Sequence, residues 1–322
     1  MKQYLFFIAL ALVGGLFFTS CKDGDDDPVA QPKTISATAS ATADLSSLVA
    51  ALQRADLVTT LDGTGPFTVF APTNAAFTAF LTANGFAKLE DVPVATLKQI
   101  LLNHVLSGEV KAAGVPVSDY VKTLATFGAT TSNISLLAQR NGSAVTLNKD
   151  VKVTTADVAC SNGVVHIVDK VIALPNVVNH ALNNANFSTL VAALTRPGLT
   201  PAGQPTYVQT LSGTGPFTVF APTNAAFAAL LTELGATSLD QVDNATLNAV
   251  LQYHVVAGAN VLSSQLTNNQ EITTLQGGKF KIDLTSGAKI VDANNRVSNI
   301  VVTNVQGSNG VVHAIDKVIL PK

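Results

Sequence analysis

The strongest constraint on this chain is internal duplication. The run GTGPFTVFAPTNAAF at residues 63–77 returns unchanged at residues 213–227, and SNGVVHIVDKVI at residues 161–172 returns as SNGVVHAIDKVI at residues 308–319. Between them, Asn103-His104-Val105-Leu106 is answered by Tyr253-His254-Val255-Val256. Three blocks thus recur in one order at offsets of 147 to 150 residues. A period of that length is the size of a domain rather than of a solenoid unit. The sequence is a tandem of two similar modules, and 322 residues suffice for two ordinary cores.

Charge narrows the partners. Charged side chains make up 12% of the chain and the net charge is −2. A phosphate backbone asks for clustered Lys and Arg, and no basic block follows the leader, so nucleic acid is excluded as a partner.

The first twenty residues read as that leader. Lys2 gives a positive start, and residues 5–18 are apolar except for Gly14 and Gly15. The stretch is short for a membrane span and suits a secretory hydrophobic region. Phe18-Thr19-Ser20-Cys21 resembles a bacterial lipobox, with Phe18 where Leu is usual, and this makes Cys21 the lipidated first residue. The other reading is an ordinary cleaved signal with an incidental cysteine. Acyl chains on Cys21 would anchor firmly, at ~0.8 kcal/mol per buried methylene. Residues 22–27, Lys-Asp-Gly-Asp-Asp-Asp, resemble the surface-export signal of Bacteroidetes-type lipoproteins and equally suit a solubilising acidic run. Residues 28–42 are a Pro/Ala/Ser/Thr tether. The expected layout is a signal peptide over 1–20, a tether over 21–33, one module over 34–175 and another over 176–322. The expected location is the outer face of the outer membrane. With Cys21 acylated, Cys160 has no disulfide partner; Gly307 takes its place in the second copy, and a small buried residue beside a turn is expected.

Within the first copy, Asp44 is placed to cap a helix carrying Leu45, Leu48, Val49 and Leu52, and Asn186 to cap its copy with Phe187, Leu190, Val191 and Leu194. The Gly63-Thr64-Gly65-Pro66 turn leads into an alternating strand over 67–70 that Pro72 ends. Thr73 and Asn74 then cap the next helix, as Thr223 and Asn224 do in the copy. A helix over 94–105 puts Leu97, Ile100, Leu101, His104 and Val105 on one stripe, and the copy keeps Leu247, Val250, Leu251, His254 and Val255. Strands over 134–139 and 144–148 flank an Asn141-Gly142 turn, and 151–154 and 164–172 complete the set. Strands over 280–284, 289–292 and 300–303 answer them. Helices first and antiparallel strands later place each module in the α+β class. The copies differ most at residues 194–211, where a Pro/Gly-rich insertion enlarges the loop that spans 52–61 in the first copy. Pro175 and Val177 join the modules without a spacer, so a fixed pair is expected.

TVFAPTNAAF, the Asn/Tyr-His-Val block and NGVVHIVDKVI resemble the three hallmark segments of the fasciclin (FAS1) domain, and the likeness runs from about residue 34 to 322. The resemblance implies two wedge-shaped antiparallel β-sandwiches with surrounding helices, on a secreted or surface-anchored protein acting in adhesion or matrix binding. In some animal members an Asp-Ile segment just before the Asn-Gly-Val-Val-His block is assigned to integrin binding. Asp157 and Val158 hold that place here and are the candidate binding pair, while Asn304-Val305 in the second copy has lost the acid.

Four of the five histidines, His104, His166, His254 and His313, lie in repeated apolar blocks with no metal-ligand spacing. Core imidazoles bonded to backbone are expected, with no metal and no cofactor. Asp169 and Asp316, three residues beyond a histidine, are expected to fix a strand end. Gly63-x-Gly65 is no phosphate cradle, because Pro66 and a strand follow it instead of a helix N-terminus. No Gly-x-Ser-x-Gly elbow or catalytic carboxylate pair occurs, so the chain is expected not to be an enzyme. The expected function is adhesion to extracellular matrix, a glycan or a cell-surface protein. The alternatives are a glycan-binding accessory lipoprotein for polysaccharide capture, which the absence of Trp and the four Tyr disfavour, and an envelope spacer.

Overall fold

A computed structural model describes residues 31–322, so the leader, the acidic run and Cys21 lie outside the described residues. In the first repeat the helices are α1 (Ile35–Ala41), α2 (Ser46–Arg54), α3 (Val58–Leu61), α4 (Asn74–Ala83) and α5 (Val94–Leu102). Its strands are β1 (Phe67–Pro72), β2 (Val105–Ser107), β3 (Ser118–Thr126), β4 (Asn133–Asn141), β5 (Ala144–Leu147), β6 (Val151–Cys160) and β7 (Gly163–Val168). The second repeat follows the same order with α6 (Val177–Asn183), α7 (Ser188–Leu194), α8 (Tyr207–Leu211), α9 (Asn224–Glu233) and α10 (Asn244–Tyr253). Its strands are β8 (Phe217–Pro222), β9 (Val255–Ala257), β10 (Glu271–Thr273), β11 (Lys279–Asp283), β12 (Lys289–Val291), β13 (Val297–Gly307) and β14 (Gly310–Ile315).

β1 is the hub of its module. It lies between β2, antiparallel, and β7, parallel, so it is buried from Thr68 to Pro72 and the expected alternation is absent. A strand covered on both faces reads as a continuous apolar run. Its one polar member, Thr68, gives its hydroxyl to Gly108 O (2.7 Å) and accepts Val110 N–H (2.8 Å). The parallel pairs β1–β7 and β8–β14 are the exceptions in an otherwise antiparallel arrangement, and their registers are the same, Phe67 facing Gly163 and Phe217 facing Gly310. Both glycines have left-handed φ, and a Cβ on Gly163 would sit 2.0 Å from Phe67 O. No other residue fits there.

In the first repeat the seven strands close into a barrel; in the second the order is β10-β11-β12-β13-β14-β8-β9, open between β9 and β10. Each repeat buries one cluster under its helices, with Leu48, Phe77, Leu97 and Leu101 in the first and Leu190, Phe227, Leu247 and Leu251 in the second. Another fills the sheet interior, around Phe70, Leu136 and Leu147 or Phe220, Tyr253 and Phe280.

Several local expectations are corrected. Asp44 and Asn186 sit inside single 3-10 turns and cap nothing; Leu45 and Phe187 precede α2 and α7 without a side-chain cap. α5 stops at Leu102 and Val105 opens β2, as Val255 opens β9. The stripe breaks because Asn103 and His104 are drawn to the chain beyond β7: Asn103 Nδ2 donates to Ala173 O (3.1 Å) and His104 Nε2 accepts Ile172 N–H (2.8 Å). β7 ends at Val168, short of residue 172, where Asp169 turns to hold Lys152 N–H. The Asn141-Gly142 hairpin is present, with Asn141 facing Ala144.

The repeats meet along a hydrogen-bonded seam. The wholly buried Ser135 of β4 accepts Gln306 N–H of β13 (2.9 Å), and Lys122 Nζ donates to Ser135 Oγ (2.8 Å) and Asn304 O (2.6 Å). Tyr120 of β3 donates to His180 O (3.4 Å) on α6 and accepts from Asn184 (3.2 Å). Burial pushes the Tyr120 hydroxyl up to about 12.

Candidate functional site

The repeated blocks converge on the β1–β7 and β8–β14 pairs, and their polar side chains turn inward. His104 gives Nδ1–H to Ile100 O (2.7 Å) one helical turn back and accepts Ile172 N–H at Nε2; His254 does the same with Val250 O (2.7 Å) and Ile319 N–H (3.1 Å). One nitrogen must donate and the other accept, so only the neutral ring fits. Burial holds both well below the usual imidazole range, at about 4. His166 donates Nε2–H to Val110 O (2.9 Å), accepts Asp157 N–H (3.2 Å) and stacks on Phe70, the ring centroids 5.5 Å apart. His313 repeats this with Val261 O (2.9 Å), Asn304 N–H (3.4 Å) and Phe220 at 5.4 Å, and burial pushes its pKa down. All four rings spend both nitrogens on backbone. Among the described residues no cluster of three or more His, Cys, Asp or Glu is arranged to hold a metal ion.

The candidate pair Asp157–Val158 lies in a bulge of β6. Asp157 has φ 61° and accepts Ala112 N–H on Oδ1 (2.8 Å), with the carboxyl 42% exposed. Asn304, its counterpart, has φ 57° and accepts Ser263 N–H (2.8 Å). An Asp or Asn tolerates the left-handed region, and in both copies its side chain holds the first N–H of a 3-10 turn. Val158 faces Val165 and packs on the helical core.

Thr73 and Thr223 each cap their own helix through Ala76 N–H (3.2 Å) and Ala226 N–H (3.3 Å). Asn74 and Asn224 serve a different helix. Asn74 accepts Ser47 N–H (2.8 Å) and donates to Ala43 O (3.1 Å), and Asn224 accepts Thr189 N–H (2.9 Å) and donates to Ala185 O (2.8 Å). They supply the start of α2 and α7 with the cap missing from the local sequence. Asp169 accepts Lys152 N–H (2.7 Å) and Asp316 accepts Asn299 N–H (2.7 Å), each joining two strands. Cys160 is free and half-buried, its Sγ 3.3 Å from Thr38 Oγ1.

Sequence reasoning passed over the asparagine of the Ser-Asn-Gly block. Asn162 donates to Leu61 O (2.7 Å) and Gly63 O (2.9 Å) and accepts Ile35 N–H (3.0 Å); Asn309 donates to Leu211 O and Gly213 O and accepts Val177 N–H (3.0 Å). Its recurrence beside an obligatory glycine was the available signal. The fifth histidine, His180 at the seam, donates Nε2–H to Gln306 O (3.0 Å) while its buried Nδ1 has no partner among the described residues; burial, then Lys122, holds it at about 4. Outside the repeated blocks, a cavity of about 690 Å³ opens beside β11, bounded by Gln276, Gly278 and a rim where Glu271 pairs with Lys279 (3.1 Å). Tyr253 at its floor donates to Lys279 O (2.6 Å) and accepts Ala293 N–H, so its hydroxyl is engaged.

Comparison with known proteins places this geometry. The Fasciclin domain family matches residues 43–175 and 185–321. An uncharacterized protein of Synechocystis sp. is 35% identical over 147 residues, covering 46% of this chain and 98% of the relative. Transforming growth factor-beta-induced protein ig-h3 of Sus scrofa is 28% identical over 274 residues, 81% of this chain but only 35% of that relative. Immunogenic protein MPB70 of Mycobacterium bovis is 36% identical over 143 residues, 44% of this chain and 66% of the relative. Among solved structures, a FAS1 domain pair from the insect cell adhesion molecule Fasciclin I aligns with a TM-score of 0.48 and 18% identity, over 84% of this chain and 92% of that one.

Proposed function

Because this chain belongs to the fasciclin domain family over both of its repeats, we propose that it is a non-catalytic adhesion protein of the cell surface, binding extracellular matrix, a glycan or a neighbouring surface protein. One observation carries the reading: the repeated histidines and asparagines are committed to the protein's own backbone in both copies. A framework of that kind leaves recognition to loops and rims where the copies differ. The lipobox, the acidic run and the tether support an acylated Cys21 and display on the outer face of the outer membrane. The test compares attachment of cells with and without the gene product at equal surface level, measured by a membrane-impermeant label. Attachment falls on deletion; unchanged attachment sinks the proposal. Mass spectrometry of the purified protein reads the acyl group on Cys21, and an unmodified amino terminus removes the anchor.

The cavity of about 690 Å³ with its Glu271 and Lys279 rim favours the second reading, glycan capture. A glycan array separates the two, since specific oligosaccharide binding is required by the second and not by the first.

A further inference from the structure

Beside the seam, a cleft of about 260 Å³ lies between the repeats, with Lys122, Thr131 and Ser132 of the first facing Leu262, Asn304 and Gln306 of the second. Lys122 is exposed to solvent there, so a solute reaches it. Its ammonium spends two protons, on Ser135 Oγ and Asn304 O, and keeps a third. Among the described residues no carboxylate lies within 4.0 Å of it. The neighbouring acid on β3, Asp119, accepts Tyr120 N–H on Oδ1 (2.7 Å), and the titratable group across the seam, His180, is itself a base. Ser132 donates its N–H to Thr130 Oγ1 (3.2 Å), while its hydroxyl and that of Thr131 have no protein partner among the described residues. The side-chain amides of Asn304 and Gln306 are already spent, on Ser263 Oγ (2.8 Å) and on Asn260 Oδ1 (2.9 Å). The cleft therefore offers one ammonium, two free hydroxyls and the apolar wall of Leu262.

We propose that this cleft binds one uronic acid residue of a glycan, its carboxylate on Lys122, its hydroxyls on Thr131 and Ser132, and a ring face against Leu262. An ammonium with a spare proton and no acid of its own takes a carboxylate in a charge-assisted hydrogen bond. An acidic protein side chain brings the same carboxylate but nothing for the two hydroxyls, which favours the sugar. The volume falls just below the roughly 300 Å³ at which pockets for drug-sized ligands begin, and that suits a single ring. Partial burial pushes the Lys122 ammonium down to about 8, and a bound carboxylate raises it again. The ligand touches both repeats and so ties them at the seam. The inference rests on the glycan reading for its class of ligand and uses a different cleft from the cavity beside β11.

D-Glucuronate, D-glucose and acetate are each titrated into the full-length protein at neutral pH, with the methyl NMR signals of Leu262 reporting occupancy. Glucuronate shifts them, and glucose and acetate bind about tenfold more weakly or worse. Thr131→Ala combined with Ser132→Ala leaves the seam bonds in place, weakens glucuronate and leaves acetate unchanged. Lys122→Met abolishes glucuronate binding, but it also breaks two seam bonds, so the pH profile of the unaltered protein is the independent check. Affinity falls about tenfold between about pH 7 and pH 9, as the ammonium loses its proton. Tyr120, pushed up to about 12, and His180, held at about 4, do not titrate in that range. Silent Leu262 methyls, a flat pH profile, or acetate or glucose bound as tightly as glucuronate overturn the proposal. Neutral oligosaccharides captured on an array while the seam stays silent overturn it and leave the glycan reading standing. Glucuronate held at the seam with no oligosaccharide captured at the β11 cavity upholds it and refutes capture there.

Discussion

The first repeat closes its barrel and the second leaves it open, although both are built on the same hub. The hub is copied bond for bond: the parallel pair, the glycine opposite Phe67 or Phe217, the two histidines, the asparagine clamp and the threonine cap. The divergence begins at one position at the end of α5 and α10. Asn103 accepts the Thr123 hydroxyl (3.2 Å) and so ties that corner to the nine-residue β3. Its counterpart Tyr253 reaches across the interior to Lys279 O and packs edge-on against Phe280 at 6.1 Å. The strand that follows is the three-residue β10, which does not pair with β9. Repetition of motifs secured the hub, and the sheets part company beyond it, in the strands that follow Asn103 and Tyr253.

Matched substitutions test that account, beginning with the most damaging. Gly163→Ala and Gly310→Ala each place a Cβ about 2 Å from a carbonyl oxygen and are expected to cost more than about 5 kcal/mol, read by circular dichroism and denaturant melts. Tolerance in one repeat alone would break the claim of a shared hub. Acidification comes next. His104, His180 and His254 titrate near 4 when folded against 6.5 when free, so the unfolded chain takes up the protons first. Their contribution is whole above about pH 6.5 and is lost as the pH falls towards 4, by about 3 kcal/mol for each ring. The second repeat holds two of the three and also His313, so it is expected to unfold at the higher pH; melts of a labelled residue in each repeat check this, and the reverse order would refute it.

Asn162→Ala and Asn309→Ala each remove three hydrogen bonds, two of them buried, and are expected to cost about 2–3 kcal/mol in urea melts, equally in the two repeats. The mildest pair is Thr73→Ala and Thr223→Ala, about 1 kcal/mol each for a lost cap. A large inequality in either pair would show that the copies differ at the hub as well as at the rim.

Much of this fold was legible in the residues. The duplication, the Thr73 cap and the Asn141-Gly142 hairpin rest on local chemistry, and local chemistry is what a sequence displays. What escaped was non-local. Asp44 looks like a cap, but the donor groups of α2 are met by Asn74, 30 residues further on and reachable only after folding. β1 looks like a half-exposed strand because nothing in residues 67–72 announces a parallel partner 96 positions away. Asp157 resembles a recognition acid, and its second part, a left-handed bulge that holds Ala112 N–H, comes into view only in the fold.

The clamp at the start of each repeat has a mechanical consequence. Lys33 O accepts Ser161 N–H and Ile35 N–H is held by Asn162, and at the junction Pro175 O and Val177 N–H meet Ser308 and Asn309 in the same way. Tension applied from the amino-terminal side therefore enters each repeat beside its parallel strand pair and not at a free helix end. Two identical fastenings stand in series, so neither repeat begins to unravel from its first helix until its asparagine lets go.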